Sequence, residues 1–277
     1  MTTSASVEPR LRVMMIGAHP DDCEIGSGGL ATKYRQRGDV VKYVSATNGN
    51  AGHHEMGGGP LARRRFEETR RVAETADIEY EVLDIPDGCL ETDLATRERF
   101  IRLIREFQPD LLFTHRTNDY HPDHRHTGIL VQDASYLIRV PNICPQTPHL
   151  MCSPVILYMQ DGFQKPNAFT PDVVVAVDDV LDAKVRMLHC HTSQMYEWLP
   201  YVGGYPAPPS DDAARFDWLS ARYARRGAVG DTGPTREALI RRYGADEGNA
   251  IRAAESFEIS EYGRELNPDE IDRYFPR

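Results

Sequence analysis

Short apolar runs alternate with amphipathic stretches along most of this chain. Residues 11–18 (LRVMMIGA) form an apolar run ending in small residues, the composition of a strand buried on both faces. A loop dense in turn formers and charge follows (HPDDCEIGSGG), and residues 30–37 then read as a helix closed by Gly38 as a C-terminal cap. Residues 40–46, 80–85 and 110–114 (DLLFT) repeat the strand pattern, and residues 61–76, 97–107 and about 125–138 the helical one. Between the second strand and the second helix, residues 49–60 (GNAGHHEMGGGP) hold five glycines and read as a mobile loop. The alternation predicts parallel β-α-β units. The expected fold is therefore α/β, a Rossmann-like, doubly wound, mostly parallel sheet with its core over residues 11–180.

Beyond that core the pattern loosens. Residues 154–159 and 172–177 read as late strands and residues 178–197 as one long helix. The stretch YVGGYPAPPSDD then interrupts any regular element. Residues 211–277 look helical and loop-like, so residues 198–277 are expected to pack as a helical C-terminal extension of a single domain spanning 1–277. There is no internal repeat and no low-complexity tract.

Composition narrows the function classes. The formal net charge is −10, which argues against nucleic acid and against an anionic membrane surface as partners. No stretch approaches the run of about 18 apolar residues that spans a bilayer. The polar segment 1–10 lacks the features of a secretory signal. Five scattered cysteines, an odd number with no C-x-x-C pair, read as reduced thiols. A cytoplasmic protein with a small-molecule substrate fits these traits.

The candidate chemistry lies at two strand ends, where open α/β sheets bind ligands. His19-Pro20-Asp21-Asp22 directly follows the first strand, and His121-Pro122-Asp123-His124 lies a few residues after the strand ending at Thr114. Each carries metal-capable side chains three residues apart beside a stiffening proline. Taking His19, Asp22 and His124 as ligands gives two histidines and a carboxylate, a set found in catalytic zinc sites that keep one position for water. Asp21 and His121 are left beside the metal, and hydrolysis needs two such groups: one to take a proton from water, one to steady the oxyanion or protonate the leaving nitrogen. Iron or cobalt could use the same ligands.

These motifs also carry a resemblance. AHPDDCEIGSGG resembles the first zinc signature of the PIG-L/LmbE-like deacetylases, and DYHPDHRHTG resembles their second. TNGNAG at 47–52, R-x-x-E at Arg65 and Glu68, and H-x-S-Q at 191–194 continue it in the family's order. The resemblance implies one zinc ion on a Rossmann-like fold, held by His19, Asp22 and His124, with Asp21 as base. It implies His121 as general acid or oxyanion stabiliser, oriented and charge-balanced by Asp123, with Arg65 and His191 near the substrate. It further implies hydrolysis of an N-acetyl group, mostly on glucosamine-containing molecules, and a homo-oligomer. A contact between copies is expected in the aromatic, proline-rich stretch near residue 200. Two rivals accompany this reading: an amidohydrolase for a non-sugar amide, and a non-catalytic zinc module, which would need a fourth ligand that no nearby cysteine supplies.

The remaining features have plainer readings. The glycines at 26, 28 and 29 are expected to let a loop pass tightly beside the metal motif. His53 and His54 read as loop histidines, His115 as support for the second motif, and Cys23 as a packed thiol. Trp198, Tyr201 and Tyr205 read either as a sugar-stacking platform or as a covered edge.

Overall fold

A computed structural model describes residues 10–277; the polar segment expected to lack a signal lies almost wholly outside them. A seven-stranded sheet runs in the order β3-β2-β1-β4-β5-β7-β6. Its strands are β1 (Arg12–Gly17), β2 (Val40–Ser45), β3 (Glu79–Val82), β4 (Leu111–Thr114), β5 (Val155–Met159), β6 (Val173–Ala176) and β7 (Ala254–Ile259). The first five pair in parallel, while β7 runs antiparallel to both β5 and β6. The helices are α1 (Asp22–Arg37), α2 (Gly58–Ala76), α3 (Leu94–Phe107), α4 (Pro122–Leu137), α5 (Leu181–Cys190), α6 (Leu199–Gly203), α7 (Asp212–Arg226) and α8 (Pro234–Tyr243), followed by two short helices. No helix among the described residues is long and apolar enough to cross a membrane.

Alternate residues of β1 divide between two cores. Met14 and Ile16 pack with α3 and α4 on one face, and Val13 and Met15 pack with α1 on the other, all fully buried. This two-sided burial is why the strand reads as a continuous apolar run. The chain reverses direction across the sheet between the adjacent strands β1 and β4, the switch point at which the loops after both strands face a common crevice.

Three expectations change. The glycine run lies not in a loop but inside α1, which starts at Asp22 and kinks at Ser27. Helix propensity disfavours glycine, yet here the missing side chains let the helix approach its neighbours. A Cβ at Gly29 would lie 2.8 Å from Val177 Cβ, and one at Gly28 3.0 Å from Lys184 Cγ. The kink exposes a second helix start, whose Gly29 and Leu30 amides donate to the Glu255 carboxylate at 2.9 and 2.7 Å. Lys184 completes this buried anion's shell at 2.6 Å. The amides at this inner helix start are thus satisfied by a carboxylate from within the chain.

The long helix expected over 178–197 is broken at His191 and continues as a π-helical turn, Ser193–Trp198. Buried Glu68 draws the chain out of register there, accepting from the Ser193 amide at 2.8 Å and the Ser193 hydroxyl at 2.6 Å. Finally, the tail is not only helix and loop: it contributes β7, inserted between β5 and β6.

Replacing Glu255 by Ala leaves the Lys184 ammonium buried without its partner. Urea unfolding is expected to show a loss of about 3 kcal/mol or more, and a change below the scatter between replicate curves would refute a structural role for the pair.

Candidate metal centre and active site

The turn from β1 into α1 places three functional groups within four residues, His19, Asp21 and Asp22. Asp22 Oδ2 accepts from the His19 amide at 2.7 Å, and the Asp22 amide donates to the His19 carbonyl at 3.2 Å. Gly17 makes this closure possible, since a Cβ there would sit 2.7 Å from Asp22 Cβ. Asp21 caps the helix with φ 147°, a conformation that L side chains rarely adopt and that costs about 1–3 kcal/mol. Such strain persists only where surrounding contacts over-determine it.

From the neighbouring strand, β4, the chain descends through a loop to α4, which His121 caps and which carries His124 on its first turn. His19 Nδ1, Asp22 Oδ2 and His124 Nε2 converge, with separations of 3.2 Å between the two nitrogens, 3.4 Å from His19 to Asp22 and 3.5 Å from His124 to Asp22. Zinc bonds of about 2.0–2.1 Å at tetrahedral angles put ligand atoms about 3.3 Å apart. The three donors therefore already span one face of such a tetrahedron.

A carboxylate meets the far nitrogen of each ring, and these carboxylates hold both histidine pKa values above the ordinary value despite burial. His19 Nε2 faces Asp87 Oδ1 at 3.2 Å and Asp123 Oδ2 at 3.3 Å, so that nitrogen carries the proton. His124 Nδ1 likewise meets Asp119 Oδ2 at 3.2 Å. Burial favours the neutral form of Asp22, but His124 and His115 outweigh it and hold the carboxyl well below the usual carboxylate range. His115 Nε2, 3.2 Å from Asp22, accepts from the Ala18 amide at 3.1 Å. That nitrogen thus lies between a backbone donor and the Asp22 carboxylate, and Asp22, His115 and His124 also stand close enough together to share a cation. Five aspartates (Asp21, Asp22, Asp87, Asp119 and Asp123) surround these histidines, an anionic excess that suits a divalent cation.

Asp21 is 6% exposed, and burial raises its carboxyl to about 6 against the opposing pull of the Arg65 guanidinium. Arg65 lies 3.2 Å from Asp21 Oδ1 and also donates to the carbonyls of Pro20 at 2.7 Å and Gly49 at 3.2 Å. It borders the cavity, where its two terminal nitrogens are held by Gly49, Pro20 and Asp21 while its Nε–H has no protein partner, so Arg65 is placed to position Asp21 as well as to border the substrate space. His191 departs from expectation. It is fully buried, outside the cavity wall, with Nε2 2.7 Å from Glu24 Oε1. Burial disfavours the imidazolium, yet Glu24 outweighs it and raises the His191 pKa.

The fully buried Asp123 carboxylate hydrogen-bonds His19, the Gly88 amide at 2.7 Å and the Leu90 amide at 3.3 Å, while its negative charge still acts on the neighbouring His121 ring. His121 is held by its own backbone cap, its Nδ1 accepting from the Asp123 amide at 3.2 Å. Burial and the neighbouring His19 and His124 keep its pKa below the usual histidine value. With Nδ1 accepting from the backbone, Nε2 is the ring position left to carry a proton, and the residue lines the cavity.

The cavity measures about 740 Å³, and Trp198, Leu199 and Val202 form an apolar wall beside the polar groups. Of the aromatics near residue 200, Trp198 reaches the cavity while Tyr201 and Tyr205 remain 62% and 44% exposed. His53 bonds Glu197 at 2.8 Å, and His54 stacks on Tyr201. Two positioning carboxylates, Asp87 and Asp119, were not singled out from sequence. Both sit in loops at strand ends, which was the available signal. Replacing Asp119 by Asn should weaken metal affinity about 10–100-fold with an unchanged far-ultraviolet spectrum; unchanged affinity in a competition titration with a chromophoric chelator contradicts this arrangement.

Residues 14–135 match the family described as PIG-L, GlcNAc-PI de-N-acetylase. A diacetylchitobiose deacetylase of Thermococcus kodakarensis is 33% identical over 208 residues, covering 69% of this chain and 74% of its own. Among solved structures, the N,N'-diacetylchitobiose deacetylase of Pyrococcus horikoshii superposes with a TM-score of 0.66 at 24% identity, over 90% of this chain and 84% of its own. The 4-carboxy-2-hydroxymuconate hydratase GalB of Pseudomonas putida superposes with a TM-score of 0.70 at 19% identity, over 92% and 98%. The fold alone thus accompanies more than one reaction, whereas this chain also shares 33% sequence identity with the Thermococcus enzyme, and its family match over residues 14–135 spans both histidine–aspartate motifs. On that identity the chain belongs to the PIG-L family of deacetylases.

Proposed function

We propose that this chain is a metal-dependent N-deacetylase acting on an N-acetylglucosamine-type amide. The observation that carries the reading is the convergence of His19 Nδ1, Asp22 Oδ2 and His124 Nε2 at metal-edge separations beside an ionisable Asp21. The named activity of the Thermococcus relative supports the choice of substrate class. Zinc, when held by these three atoms, supplies Lewis acidity that makes water ionise near neutral pH and polarises a carbonyl oxygen.

The side chains divide the remaining work. Arg65 occupies Asp21 Oδ1, leaving Oδ2 to accept a proton from the attacking water. The protonated Asp21 then holds the proton that the departing amine requires when the carbon–nitrogen bond breaks, yielding acetate and a free amine. His121, capped at Nδ1, donates from Nε2 to the oxyanion that develops on the acetyl carbonyl. The apolar wall of Trp198, Leu199 and Val202 shields this region from bulk water. The same wall favours, as a second reading, a non-sugar amide; acetate release from N-acetyl sugars against simple N-acetyl amides separates the two.

Two outcomes follow from Asp21. Asp21→Asn should keep the metal and the fold while lowering kcat by about 10²–10⁴-fold; wild-type turnover in that variant removes Asp21 as the base. The pH dependence has a definite sign. A base works only when deprotonated, and this carboxyl sits above its ordinary value at about 6, so kcat/KM should fall as pH drops through that region, or somewhat lower with the cation bound. Arg65→Met removes a charge that favours the carboxylate, so the acidic limb should move up by about one pH unit or more. A limb that stays in place shows that Arg65 does not act through Asp21.

A further inference from the structure

Four rings, those of His53, His54, Tyr201 and Trp198, lie face to face beside the active-site cavity. Successive centroids are 4.7, 4.1 and 6.0 Å apart, and successive planes differ by 16, 7 and 25°. The stack joins two segments far apart in sequence. One is the loop before α2, whose Ala51 and Gly52 line the cavity. The other is the π-helical turn with α6 behind it, which contributes Trp198, Leu199 and Val202 to the same wall. Turns of that kind are rare and gather at functional sites.

Polar contacts fasten both segments from behind. His53 Nδ1 accepts from the Glu55 and Met56 amides at 3.1 and 3.2 Å, so its Nε2 carries the proton given to Glu197 at 2.8 Å. Arg64 donates to the same Glu197 carboxylate at 2.7 Å, fixing the residue next to Trp198. Gln194, four residues before Trp198 and hence on its face of the turn, donates to the Gly52 carbonyl at 3.0 Å. The hydrophobic core, by contrast, does not hold the indole. Leu199 packs against the cluster under α5 and α7, whereas Trp198 belongs to no core cluster among the described residues. Its place in the wall is set by the ring stack and by the contacts of Glu197 and Gln194.

We propose that Trp198 is a specificity-determining platform for a ring of the substrate, and that His54 and Tyr201 are positioning residues acting through it. Tyr201 backs the indole on one side, and the cavity lies against the residue. A flat, polarisable surface of this kind attracts the C–H face of a pyranose or another ring, and an open-chain amide has no such face to offer. The stack explains why a side chain outside the core can do this. An indole already ordered by its neighbours spares the incoming ring the entropy of fixing it. Tyr201 is 62% exposed, so the stack does not serve to bury that ring from water. This inference rests on the deacetylase reading for the reaction that the kinetics follow, not for the ring that Trp198 binds.

The test uses the zinc-loaded full chain carrying Trp218→Phe, which leaves Trp198 as its single tryptophan. Titration with glucosamine, the amine product of N-acetylglucosamine, is expected to change the Trp198 emission saturably. Ethanolamine, an amine without a ring, should leave it unchanged. Trp198→Ala should raise KM for N-acetylglucosamine about tenfold, with a smaller change in kcat. His54→Ala and Tyr201→Ala should each raise KM in the same way and make Trp198 more accessible to acrylamide quenching. Tyr201→Phe keeps the ring and should restore both readouts. Circular dichroism checks the fold of each variant, and His54→Ala carries the test should Tyr201→Ala not fold. Acetate release with an unchanged KM in Trp198→Ala overturns the platform and leaves the deacetylase reading standing. An equal emission change with ethanolamine also overturns it. Quenching that neither ring-removing variant alters overturns the positioning role. So does a fall in sedimenting mass in Tyr201→Ala, which assigns the stack to a contact between copies. Absence of acetate from the parent, with glucosamine still saturating the Trp198 emission, sinks the deacetylase reading and leaves the platform.

Discussion

One imidazole has to face two ways. His19 directs Nδ1 to Asp22 and His124 while its Nε2 lies against Asp87 and Asp123. Holding the ring between these two sets of carboxylates depends on three separate strand ends. β1 supplies the histidine, β3 leads into the loop of Asp87, Gly88 and Leu90, and β4 leads to Asp123. The Asp123 carboxylate ties the three together, accepting two backbone amides as well as facing the ring. Its complete burial follows from that task, since an ionised carboxylate survives out of water only with its acceptor capacity filled.

Beside this rigid ligand set, Asp21 is held in tension. Its backbone angle is unfavourable for any residue with a side chain, and its carboxyl is buried next to another aspartate. Arg65 resolves both problems, bonding the carboxylate and the carbonyl of the preceding proline. Behind it, the fully buried Glu24–His191 pair joins α1 to the end of α5. The broken helix at His191 is thus explained by the site: a regular helix through 178–197 would not deliver His191 to Glu24 and Ser193 to Glu68 together.

Much of this architecture is legible in the chain, for physical reasons. Strands buried on both faces must be apolar throughout, so β1 and β4 stand out, and the loops after adjacent strands must converge. That logic selects His19, Asp21, Asp22, His121 and His124. It does not reveal Asp87 or Asp119, because spacing along the chain says nothing about which loop oxygens meet which ring. Arg65 and His191 illustrate the same limit: each lies near the centre, but their partners, Asp21 and Glu24, cannot be read from spacing. The run at 26–29 misleads because glycine's low helix propensity is overridden by close packing. β7 is hidden because AESFEI carries charges inside a strand, and one of them, Glu255, is compensated by Lys184 and by two helix amides more than two hundred residues away.

That separation bears on how the protein comes into being. The helix that bears Asp22 and follows directly from Asp21 is braced by a carboxylate that leaves the ribosome only after about nine-tenths of the chain. The β1–α1 turn, although made early, therefore cannot reach its final shape until β7 has slotted between β5 and β6. Contacts of such long range are slow to form and late to be rewarded. A nascent chain would carry both histidine–aspartate motifs before the carboxylate that braces the kinked helix beside the first of them has been made.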